Sequence, residues 1–89
     1  MDNKEEQLSF LRSYDFMKLG QAINHQNWQA AAMTAQRMQK QAKELGLDTF
    51  DRQLTNIRQC MLHKQEKQAK DILAVMTAKR AQMLNHMEE

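Results

Sequence analysis

Three histidines, one cysteine and two adjacent carboxylate pairs are the side chains of this 89-residue chain best suited to carry a group, move a proton or hold a metal. His25, His63 and His86 could each accept a phosphoryl group. All three fall near expected helix ends, where an imidazole also suits the helix dipole, so ordinary surface roles are expected for them. Cys60 and His63 are three residues apart on one helix and could reach the same metal ion. A closed zinc site needs four ligands, however, and no second Cys/His pair has suitable spacing. No metal and no cofactor are expected, and Cys60 should pack as a small apolar group. The carboxylate pairs Glu5/Glu6 and Glu88/Glu89 sit at termini that should fray. There is no Ser-His-Asp arrangement, no glycine-rich phosphate loop and no Glu-x-x-His motif, so the chain is not expected to be an enzyme.

The elements that position these residues are helical. The chain has no proline and two glycines, and is rich in Ala, Leu, Met, Gln, Lys and Glu, which all favour helix or tolerate it. A single all-α domain over residues 1–89 is expected. At this mass about 5,400 Å² of folded surface should remain, enough for one modest core and too little for a deep pocket with its own lid. Charge is balanced along the chain: six basic and five acidic residues precede Gly46, and seven and six follow from it. Neither half is a basic patch, so nucleic acid is not an expected partner. A lone cysteine, an acidic start and the lack of a long apolar run point to a cytoplasmic protein with no membrane segment.

Asn27 to Gly46 carries the clearest pattern. Asn27 can accept from the free amides of a first turn, and Gly46 can take the left-handed conformation that ends a helix. Between them Trp28, Ala31, Ala35, Met38, Ala42 and Leu45 recur at spacings of three and four, the signature of one buried stripe. Before it, Asp2 or Asn3 can cap a first segment in which Leu8, Leu11, Tyr14 and Met17 keep one period, with Phe10, Phe16, Leu19 and Ile23 around it. This is either one bent helix from about Lys4 to His25 or two pieces broken between Arg12 and Asp15. Gly20 within it costs about 1 kcal/mol relative to alanine and would let another helix approach closely. Asp48 is expected to cap a third helix whose inward stripe is Phe50, Leu54, Ile57 and Met61. His63-Lys64-Gln65 reads as a turn without glycine, and a fourth helix starts at about Glu66. Four helical segments with short connections predict an antiparallel four-helix bundle. Ile23–Met38 also echoes Met61–Met76 at an offset of 38, pairing His25 with His63.

The string Ala35-Gln36-Arg37-Met38-Gln39-Lys40-Gln41-Ala42-Lys43-Glu44-Leu45-Gly46 resembles the phosphoacceptor helix of histidine-containing phosphotransfer (HPt) domains. Their motif runs approximately Ala-His-x-Leu-Lys-Gly-x-Ala-x-x-Leu-Gly, and Ala35, Met38, Ala42, Leu45 and Gly46 match it. The resemblance covers roughly Leu19 to Met76. It implies an HPt-like four-helix bundle, a fold in which a surface histidine passes a phosphoryl group between the aspartates of receiver domains. Here Gln36 stands in place of the histidine, Gln39 of the lysine and Lys40 of the glycine. An amide nitrogen is delocalised into its carbonyl and is no nucleophile, so Gln36 cannot carry phosphate.

What the resemblance leaves is docking. Gln29, Met33, Gln36, Arg37, Lys40 and Lys43 are the expected contact residues, with a receiver domain or histidine kinase of two-component-type signalling as partner. Six of the eight methionines (Met17, Met38, Met61, Met76, Met83 and Met87) fall on expected core stripes, whereas Met33 points off its stripe beside Gln36. The last helix sets Lys64, Lys67, Lys70, Lys79 and Arg80 against an apolar side but has no aromatic anchor, so a membrane surface is not its expected partner. Two other readings stay open. Leu19-Gly20, Trp28, Ala32 and Ala69 resemble parts of a tetratricopeptide hairpin, a protein–protein scaffold, although such folds need about three stacked units. The chain could alternatively be an active phosphotransfer protein using His25, His63 or His86.

Overall fold

A computed structural model describes residues 3–87, so the capping role of Asp2 and the Glu88/Glu89 pair lie outside the described residues. Five helices follow one another: α1 (Asn3–Leu11), α2 (Asp15–Asn24), α3 (Trp28–Glu44), α4 (Asp48–Leu62) and α5 (Glu66–Met87). Each of α2 to α5 packs on the next, α5 returns to α2, and α1 lies against α5. The three-residue turns reverse the chain each time, so the ring is an antiparallel four-helix bundle with an extra helix across one end.

That extra helix decides between the two expectations for the N-terminal segment: it is broken, at Arg12 to Tyr14. On a continuous helix Phe10 and Phe16, six residues apart, would point about 120° from each other. The break aims both inward, where they meet Phe50 of α4 edge to face, with ring centroids 5.4, 5.9 and 6.0 Å apart. The same rotation turns Tyr14 and Met17 outward, 71% and 55% exposed, so the expected Leu8-Leu11-Tyr14-Met17 stripe is not the core face and Met17 is not a core residue. The Arg80 guanidinium donates to the Leu11 carbonyl at the end of α1 and lies 5.2 Å from the centre of the Phe16 ring. An orphan carbonyl and an aromatic face thus both find a cation. Gln7 donates to the Leu45 carbonyl at 3.3 Å, tying α1 to the end of α3.

The three turns of the bundle share one geometry. In each, the backbone N–H two residues past the cap residue bonds back to the carbonyl three residues before it: Asn27 to Ala22, Leu47 to Ala42 and Gln65 to Cys60, all at 2.8 Å. Inside each of them a tighter loop is closed by a second bond, from Gln26 to Ile23 at 3.1 Å, and from Gly46 to Lys43 and Lys64 to Met61 at 3.2 Å. This is the Schellman motif, which needs a left-handed residue at its centre. Gly46 fills that place with φ 71°, whereas Gln26 and Lys64 do so at φ 57° and 56°. Asn27 caps α3 as expected, its Oδ1 accepting from the Ala30 N–H at 3.3 Å. Asp48 does not cap α4. The cap residue is Leu47, without a side-chain bond, and Asp48 is the first helical residue, where its charge still favours the dipole.

Leu11, Leu19, Ile23, Met38, Phe50, Leu54, Ile57 and Met76 are fully buried, and Met83 and Met87 pack half-buried at the edge of the same cluster. A Cβ added at Gly20 would stand 3.6 Å from Leu73 Cδ2, an ordinary contact, so helix approach does not demand that glycine. The accessible surface is 6012 Å², above the expected value because the bundle is elongated, 39 × 21 × 19 Å. No helix among the described residues is long and apolar enough to cross a membrane.

Candidate functional site

Helix α3 presents its apolar stripe, Ala31, Ala35, Met38 and Ala42, to the core. Its opposite side is fixed by that choice. Gln29, Met33, Gln36, Lys40 and Lys43 follow at spacings of four and three, and all five are exposed. They form a ridge about 21 Å long along the helix. Gln36 is the ninth of the 17 residues of α3, so its amide stands in water midway along the helix. Met33 is 62% exposed beside it.

Arg37, the sixth expected contact residue, is committed to an internal partner. Its Nη2 and Nε reach the two carboxylate oxygens of Asp15 at 2.7 and 3.2 Å, a two-pronged bond from α3 to the first residue of α2. Asp15 is buried while Arg37 remains half exposed. The guanidinium holds the Asp15 carboxyl below its ordinary pKa, against the opposing effect of burial, and the carboxylate in turn raises that of Arg37. Arg37 therefore fixes the α2–α3 edge of the ridge more than it reaches outward.

The other edge is fixed as firmly. Gln39 donates to Thr55 Oγ1 at 2.6 Å and accepts from Arg58 Nη1 at 2.7 Å, while Thr55 donates to the Asp51 carbonyl at 2.9 Å. Both ends of the Gln39 amide are satisfied across the α3–α4 seam, so the residue is a strut between helices. Neither Asp15 nor Gln39 has a spacing signal that marks it in the sequence, because each depends on a partner in another helix.

The residues with reactive chemistry are not brought together. His25 and His63 are the exposed cap residues that follow α2 and α4, and His86 is exposed in the last turn of α5. Cys60 is buried, with Gln68 Oε1 at 3.9 Å from its sulfur, while His63 faces solvent. No group of three or more His, Cys, Asp or Glu residues among those described could hold a metal ion. Beside the ridge, Lys18, Gln21 and His25 of α2 and its turn face Ala30 and Thr34 of α3 across a shallow groove of about 430 Å³. The ridge presents two amides, a thioether and two ammonium groups to solvent. No protein-family model matches the sequence, and no curated protein or solved structure is significantly similar to it.

Proposed function

We propose that this chain is a phosphotransfer-like docking module that has no phosphoacceptor at position 36. In this reading it binds a receiver domain or histidine kinase through the α3 ridge. The observation that carries it is the placement of Gln36: outward, midway along a 17-residue helix of the four-helix bundle, with Met33 one turn before and Lys40 one turn after. A rigid helix held on both edges, by Asp15–Arg37 and by Gln39–Thr55–Arg58, suits a surface that docks without rearranging. Gln36 can donate and accept hydrogen bonds at such an interface but cannot attack a phosphoryl group. The scaffold reading draws less support, because α2 to α5 close on one another instead of leaving a hairpin face open for stacking.

The test has two arms. Titration of the labelled protein with a purified receiver domain is expected to shift the amides from Met33 to Lys43. Incubation with the phosphorylated receiver is expected to leave the protein unlabelled. Acid-labile label on His25, His63 or His86 would replace this reading with active phosphotransfer, and shifts confined to the Gly20–Trp28 region would favour a scaffold.

A further inference from the structure

The eight methionines divide sharply by access to solvent. Met38 and Met76 are fully buried and Met61 is 6% exposed, whereas Met17 and Met33 are 55% and 62% exposed. Met83 and Met87 are half-buried at the end of α5, and Met1 lies outside the described residues. The one thiol, Cys60, is buried at 7% exposure and so is a poor target for an oxidant arriving from solvent. Among the described residues, the sulfur-bearing side chains most open to solvent are therefore two thioethers.

Their settings differ. Met17, near the start of α2, lines a groove with Tyr14, Phe16, Thr77 and Arg80 that includes no residue of α3. Met33 stands on the α3 ridge between Gln29 and Gln36, and it is the one apolar side chain among the five that form the ridge. Methionine is enriched at protein interfaces, where its flexible thioether adapts to a partner's shape. Any apolar contact that the ridge makes thus depends on this side chain. The core does not depend on it, because the buried stripe of α3 is Ala31, Ala35, Met38 and Ala42. A change of polarity at Met33 therefore alters the face and leaves the bundle alone.

We infer that Met33 is a modification site for peroxide-class oxidants, and that its sulfoxide switches the α3 ridge from an adhesive to a non-adhesive state. This rests on the reading of the ridge as the docking face. The thioether sulfur gives a lone pair to one peroxide oxygen, and the O–O bond breaks. The hydroxide that leaves takes the proton from the transferred oxygen and departs as water. Sulfur is oxidised by two electrons, and the peroxide is reduced by two. The product is polar and chiral, and burying its S–O dipole in an interface without a hydrogen-bond partner is costly. The sulfoxide can be reduced back to the thioether, so the change is reversible.

The full chain is treated with limiting hydrogen peroxide, and each methionine is followed by digestion and mass spectrometry. Met33 and Met17 are expected to oxidise first, with Met38 and Met76 slower by about tenfold or more because they must wait for the core to open. That gap should close in urea. Oxidation of Met33 should move the thermal midpoint by no more than about 4 °C, as for other surface changes. A Met33 oxidised no faster than Met38 and Met76, or a larger fall in the midpoint, would overturn the inference. Two variants isolate the effect on docking: Met17→Leu leaves Met33 to react, and Met33→Leu leaves Met17. After peroxide the first should bind a receiver domain about tenfold more weakly and the second as before. Equal losses in the two, or no loss in either, would also overturn it. Its failure differs from that of the receiver reading. If no receiver or kinase binds the untreated protein, that reading falls, while fast oxidation of Met33 on an intact fold still supports the site. A Met33 as protected as the core, in a protein that does bind a receiver, leaves only the receiver reading.

Discussion

Asp15 is the residue whose role could least be anticipated from its neighbours in the chain. It falls in the segment where either a bend or a break was expected, and it proves to be a buried acid at the first position of α2, bonded twice by Arg37. Because the pair holds its folded-state pKa below the ordinary carboxylate value, the charged form stabilises the fold. That contribution is fully present above the unfolded pKa of about 3.9 and is lost as pH falls through the lower folded value. Asp15→Asn is expected to lower stability by about 1–2 kcal/mol at neutral pH, a modest figure because half-exposed Arg37 is partly screened by water. Urea midpoints of the two proteins should differ by a constant amount from about pH 7 to 5 and converge below about pH 4. A difference that persists undiminished at low pH would mean that shape, not charge, matters at this position. By contrast the outward placement of Gln36 was legible, because it lies on the side of α3 opposite the apolar stripe, whereas Thr34 and Gln39 on the flanks are covered by neighbouring helices.

At the scale of elements, the sequence marks some ends plainly and others not at all. Asn27 and Gly46 carry the residue types their positions demand, and both do what those types predict. Gln26 and Lys64 occupy the same left-handed place as Gly46 without any such mark. They are held there because the Schellman bonds and the packing of flanking helices outweigh a local cost of about 1 kcal/mol. The offset of 38 that pairs His25 with His63 is the trace of this shared turn. Replacing Lys64 with glycine should therefore raise stability by about 0.5–1 kcal/mol, the relief being partly offset by a freer unfolded chain. Gly46→Ala should cost about 1 kcal/mol through backbone strain alone, because nothing lies within 4 Å of the added methyl. Thermal midpoints moving in opposite directions would verify both; a neutral Gly46→Ala would show that the turn tolerates a Cβ. The expected stripe through Tyr14 and Met17 failed for a related reason. A period is measured along one axis, and the axis changes at Arg12 to Tyr14.

For the molecule as a whole, the question is whether α1 is part of the cooperative unit or an appendage resting on it. Its contacts include the Phe10 ring against Phe16 and Phe50, the Arg80 guanidinium on the Leu11 carbonyl, Gln7 on the Leu45 carbonyl, and Leu11 fully buried in the common core. A nine-residue helix is too short to persist alone in water, so α1 exists because the bundle supplies its apolar partner. The dependence also runs the other way, since Phe16 and Phe50 would lose an edge-to-face neighbour and gain solvent if α1 left. Removing a buried phenylalanine ring generally costs about 3–5 kcal/mol, against a total of about 4–13 kcal/mol for a chain of this size. Phe10→Ala should accordingly lower the unfolding free energy by about 3 kcal/mol and keep a single denaturant transition, with α1 and core amides exchanging together near the global rate. A loss below about 1 kcal/mol, with fast exchange confined to α1, would show that α2 to α5 stand without it. The docking ridge would survive that outcome, because its two struts, Asp15–Arg37 and Gln39–Thr55–Arg58, lie wholly within α2, α3 and α4.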